Sequence, residues 1–182
     1  MDPKVMKRKA IAYRIIYSFL IAFAIGIILG FGAPSAQGSP ITVEGFFSAL
    51  WQGTLVGGIV GLVLPVRQIL GFYFRRNGGD TAFTRKLITD VVMATIFTIV
   101  IGFYFTAVNT GFETYMTDAG PVTFAGRLMN GFMLIWLYIF LGAYLTGPIC
   151  TAIATKITGF DPAVAAAAEE AAAKEQGPAK EQ

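Results

Sequence analysis

The sequence predicts an all-α polytopic membrane protein, with four transmembrane helices forming two parallel-repeat hairpins and both termini in the cytoplasm. Three observations predict it. The first is a set of four apolar runs without an ionisable acid or base: Ile15 to Ala33, Gly45 to Val66, Val91 to Phe112 and Leu128 to Thr155. A bilayer core of about 30 Å takes roughly 20 such residues per helix. The second is composition. The 182 residues are 55% hydrophobic and only 14% charged, with a mean hydropathy of +0.63, whereas a soluble domain carries about 25% charged residues. The third is where the cations fall. Lys4, Lys7, Arg8, Lys9 and Arg14 precede or open the first run, and Arg67, Arg75, Arg76, Arg85 and Lys86 flank the connection between the second and third. The other two connections carry only Arg127 between them. Positively charged connections stay in the cytoplasm, which puts the middle loop and both ends on that side.

The chain then divides into a basic cytoplasmic N-terminus (1–13), a first hairpin (14–74, spans about 14–33 and 45–66), a cytoplasmic loop (75–86), a second hairpin (87–160, spans about 87–108 and 128–150) and an Ala/Glu-rich cytoplasmic tail (161–182). The N-terminus has the basic start and small-x-small Ala36-Gln37-Gly38 of a signal peptide. Its apolar run of about 19 residues exceeds the usual 7–15, so the segment is read as a retained span.

Small residues recur every fourth position in three of the spans: Ser18, Ala22, Gly26 and Gly30; Ala49, Gly53, Gly57 and Gly61; Ala94, Thr98 and Gly102. Positions four apart share a helix face. In lipid, where apolar burial gives helices little reason to associate, small residues let backbones approach closely. These eleven residues are therefore the expected helix-packing surface, toward another span or a second copy. Span four carries bulky Trp136, Tyr138, Phe140 and Tyr144, and is expected to face lipid most or to receive the other grooves. Pro65 and Pro148, with Arg67, are read as kinks and interfacial anchors at the cytoplasmic ends of spans two and four.

A weak repeat accompanies the hairpins. Arg14, Ser18, Ala22, Gly26 and Gly30 match Lys86, Asp90, Ala94, Thr98 and Gly102 in spacing, and "ITVEGFFSAL" aligns with "VTFAGRLMNG" through Ile-Thr/Val-Thr and Gly45/Gly126. Both hairpins would start in the cytoplasm, as repeats related by an axis along the membrane normal.

Chemistry-bearing residues are few. The chain has no histidine and one cysteine, Cys150, read as a small packing residue. Histidine-ligated haem, the usual histidine-bearing metal sites and Ser-His triads are impossible within it. No catalytic, cofactor-binding or metal-binding residue is expected, nor a nucleic-acid partner. An ionisable group inside a span is a functional candidate by default, and Asp90 is the one here: a candidate for an ion, proton or polar path, with Lys86 one turn away as its structural partner. Span threonines such as Thr54, Thr95 and Thr98 are expected to bond helix carbonyls.

Asn109, Gly111, Trp136 and Pro148, set in "AVNTGF" and "LTGPICTAIATKI", give the second hairpin a resemblance to the small bacterial two-span membrane family DUF2798. The first half matches only through Trp51, Pro65 and Arg67. The resemblance implies a multi-pass protein of a bacterial inner membrane and brings no activity with it. Two functions are left open: a small transporter or channel-like homo-oligomer, or a non-catalytic scaffold or accessory subunit of a larger membrane complex. In both, the bilayer is the first partner.

Overall fold

The structure, a computed structural model, describes residues 3–36, 40–64, 81–117, 120–165 and 167–168. It is mostly helical, and four of its helices are long and apolar enough to cross a membrane. In chain order the elements are α1 (Pro3–Ala36), α2 (Val43–Val63), α3 (Ala82–Thr110), strands β1 (Tyr115–Thr117) and β2 (Gly120–Val122), a one-turn-and-a-half α4 (Phe124–Met129) and α5 (Phe132–Thr158). The two strands pair antiparallel as a short ribbon with Met116 opposite Pro121.

Three helices begin at a threonine whose hydroxyl accepts an otherwise unpaired backbone N–H of the first turn. Thr42 accepts from Gly45, Thr81 from Thr84 and Thr123 from Gly126, each at 3.1 Å. Helix α2 stops at Val63 because Leu64 precedes a proline and is extended (φ −63°, ψ 124°), the conformation that the following ring enforces. Helix α5 stops at Gly159, which takes the left-handed conformation at φ 61° that favours glycine at a C-terminus.

The four long helices close into a ring. Helix α1 packs along both α2 and α5, and α3 completes the ring against α5 and α2. Of the four, α1 is the most enclosed. The axis is filled by Ile21, Ile25 and Leu29 of α1, Ala94, Phe97 and Ile101 of α3, and Ile139 and Cys150 of α5. Large apolar side chains face outward at every fourth position: Phe47, Trp51, Leu55, Ile59 and Val63 on α2, and Leu137, Leu141, Leu145, Ile149, Ile153 and Ile157 on α5. Four-residue spacing therefore puts small residues inside and long ones outside, as lipid solvation requires.

Several expected boundaries are corrected. The first helix starts at Pro3, not near residue 14, so the basic residues Lys4 to Arg14 lie on its first turns; proline suits a first helical position because it lacks the N–H that would go unpaired. Span two ends two or three residues early, for the reason just given. Span three begins earlier, at Phe83, and ends at Val108 as expected, within a helix that runs from Ala82 to Thr110. Span four is not one rod from 128 to 150: the chain breaks at Asn130–Gly131, where Gly131 has φ 72°, and α5 runs on to Thr158. Pro148 lies inside α5 with ten helical residues beyond it, one of them Lys156, so it does not close the span. Pro65, Arg67 and residues 75–80 of the middle loop lie outside the described residues, as does the tail beyond 168.

Candidate functional site

The three small-residue ladders have different neighbours. Those of α1 and α2 run antiparallel against each other. A Cβ built on Gly61 would lie 3.1 Å from Ser18 Oγ, one on Gly57 3.1 Å from Ala22 Cβ, and one on Gly53 3.9 Å from Gly26 Cα. Gly30 faces the ring of Phe46, and Gly26 faces Leu50 and Thr54. The two grooves thus occupy one another within a single chain. On α3, Ala94 and Thr98 are buried in the bundle, and Gly102 faces Leu128.

Span four is, with span two, the least enclosed of the four, and its Tyr138 ring lies against Gly32 of α1. Its aromatic side chains do not form the outer face. Trp136, Phe140 and Tyr144 stack in a column along α5, with centroids 5.4 and 6.1 Å apart. Trp136 Nε1 donates to Thr95 Oγ1 of α3 at 3.0 Å, and Lys86 Nζ sits 4.2 Å over the Tyr144 ring. Small residues of α5 also meet α1: Gly142 faces Ile25 and Ile28, and Gly147 faces the Tyr17 hydroxyl; Ala154 is fully buried.

At the end of the bundle where α1 begins, a cavity of about 610 Å³ lies between α1 and α3, which face each other across the ring, with Gly61 and Leu64 of α2 also lining it. Its deeper wall is apolar, formed by Ile21, Ile25, Ala94, Phe97, Ile139 and Ala143. Its mouth is polar, with Lys7, Tyr13, Arg14, Tyr17, Thr89 and Asp90. Phe160, packed on Tyr13 with centroids 5.6 Å apart, borders it from the far side of Gly159. Leu29 and Ile101, further along the axis, belong to the packed core and not to the cavity wall.

Two cations have fixed tasks around this mouth. Lys86 Nζ donates to Asp90 Oδ2 at 2.5 Å; the pair is the i,i+4 contact anticipated from spacing, and Asp90 also faces the cavity. Arg14 crosses to α2 and donates to the carbonyls of Leu62 and Leu64 at 2.5 and 3.0 Å. These are groups that a helix end leaves without an internal partner, and a cation there also meets the negative end of the helix dipole. The sequence marks Arg14 only as a flanking positive charge. The contact joins residues 48 and 50 positions apart, so spacing gives no sign of it.

Three span threonines bond within their own helices. Thr54, Thr95 and Thr98 each donate to the carbonyl four residues earlier in their own helix. At the other end of the bundle Arg127 donates to the carbonyls of Val122, Gly111 and Glu113 and lies 5.1 Å from the Tyr115 ring centroid, fastening the ribbon to α4. No group of three or more metal-ligating side chains occurs among the described residues.

Comparison of the chain with protein-family models, with curated proteins and with solved structures gives no match.

Proposed function

We propose that the protein is a small carrier-type integral membrane protein of a bacterial inner membrane, built of two tandem hairpins, which takes a ligand into the α1–α3 cavity from the cytoplasmic side. The observation that carries this reading is the cavity itself. Its volume lies within the roughly 300–1,000 Å³ of ligand sites, and it has an apolar depth, a polar mouth and an intramembrane carboxylate, Asp90, on its wall. The packed core beyond it makes the cavity one-ended, which suits a binding or carrier site better than a pore through one chain. Cytoplasmic termini follow from the cation distribution, with the start of α1 beside the end of α5. The hairpin repeat, and with it the resemblance to DUF2798, is supported by the Thr42–Gly45 and Thr123–Gly126 caps, which match in residue type, spacing and length. Further copies of the chain would assemble through the outward apolar faces, since the α1 and α2 grooves are already filled.

The test is ligand-dependent stability in lipid nanodiscs. A molecule that binds only the folded state adds about 2.7 kcal/mol at a hundred times its Kd. The unfolding transition of the native chain should rise with at least one member of a panel of inorganic ions, small organic solutes and amphiphiles, and Ala143→Phe, which fills the cavity wall, should abolish the rise. A panel without effect on the native chain would overturn the carrier reading. Recovery of monomers bound to one larger membrane complex would then favour the scaffold.

A further inference from the structure

From the lining and charge of the cavity we infer that its ligand is an anionic amphiphile whose hydrocarbon part enters the apolar depth; the inference rests on the carrier reading and names its ligand class. The α1 residues that line the cavity run from Lys7 to Ile25, about 27 Å of helix at 1.5 Å per residue. Ile21, Ile25, Ala94, Phe97, Ile139 and Ala143 give a hydrocarbon chain an apolar wall with no ionisable group. A compact polar solute would leave this depth without a polar partner, and burying polar groups unpaired is unfavourable.

The sign of the headgroup follows from the mouth. Among the described residues, Lys7 and Arg14 are its lining cations and Asp90 its one lining carboxylate. Lys86 already neutralises Asp90 at 2.5 Å. The balance is positive, and each Lys or Arg near a membrane surface attracts an anionic headgroup by about 1 kcal/mol. A carboxylate or phosphate head beside Lys7 and Arg14, with its chain running toward Ile25, satisfies both halves of the cavity. A cationic head would meet Lys7 and Arg14 with no unpaired carboxylate among the described lining residues to offset them.

The experiment titrates the full chain in phosphatidylcholine nanodiscs with oleate, oleyl alcohol and an alkyl-trimethylammonium of matched length, read by native mass spectrometry and by the unfolding transition. Oleate should bind saturably at one per chain. Lys7→Gln, an exposed position that leaves the fold intact, should weaken it roughly five-fold, and Ala143→Phe should weaken it more than ten-fold. Equal binding of the alcohol or the ammonium would overturn the charge assignment, as would an unchanged affinity in Lys7→Gln, while leaving the carrier reading in place. Stabilisation by a small polar solute with no amphiphile bound would overturn the inference alone. No ligand of any kind would overturn both. Repeating the titration in phosphatidylglycerol nanodiscs separates the sources. Suppressed oleate binding assigns the cavity to a membrane lipid, and unsuppressed binding assigns it to a free amphiphile; each supports the shared chemistry.

Discussion

Gly57 shows at atomic scale why the chain places glycine in the middle of an apolar helix. A Cβ there would stand 3.1 Å from Ala22 Cβ and 3.6 Å from the Phe97 ring. The first distance is tighter than ordinary contact, and the Ala22 methyl has no rotamer by which to move away. Gly57→Leu should therefore force α1 and α2 apart and destabilise the protein by about 1–3 kcal/mol, as overpacking does, seen as a lower unfolding midpoint in detergent. Gly53→Ala is the control: its added methyl meets only Gly26 Cα, at 3.9 Å, and should shift stability by less than about 0.5 kcal/mol. The smaller Gly57→Ala should be rescued by Ala22→Gly, because the second change removes the methyl that the first one meets. A double mutant that shows no coupling would mean that the two ladders do not touch. Four-residue spacing makes the small faces legible in the sequence. Their pairing is not, since spacing says which residues share a face and nothing about what lies opposite.

At the scale of elements, the end of α2 is the informative case. Its boundary comes from chain-local chemistry, because Pro65 forces Leu64 out of the helical region. Its stability comes from elsewhere, through Arg14 on α1. Arg14→Gln removes the charge from hydrogen bonds worth about 1.5–3 kcal/mol to a charged donor, discounted here because the site is exposed. The expected loss is about 1–2 kcal/mol, with Arg14→Lys recovering part of it, and limited proteolysis near Leu64 should quicken in the Gln variant. Unchanged proteolysis and stability would sink this role. The break before α5 has a different lesson. Asn-Gly is a turn signal, so Asn130-Gly131 could have been read as an interruption, yet the apolar run around it dominates a window long enough to detect a span. The aromatic column of α5 was illegible in the sequence for a related reason. Bulk alone does not say whether Trp136, Phe140 and Tyr144 meet lipid or α3, and the facing Thr95 and Lys86 decide it.

For the whole molecule, the central prediction concerns orientation. Tags on the two ends should both be reached from the cytoplasmic side, whereas a labelled cysteine introduced at Met116 in the β-ribbon should react from the opposite side. Ends on opposite sides would reverse the reading of one span. The number of spans was set by composition alone, because a run of some 20 residues without an ionisable group has lipid as its favourable solvent whatever its neighbours do. The outward faces follow in the same way, from large apolar residues repeating every fourth position. What only the tertiary structure decided is how the ring closes: that the α1 and α2 grooves fill each other, that Arg14 holds the end of α2, and that a cavity is left between α1 and α3 beside Asp90. Each of these depends on side chains from helices far apart in the chain meeting at a particular height. Solvent preference is a property of each residue, but a contact or a cavity belongs to the pair of helices that form it.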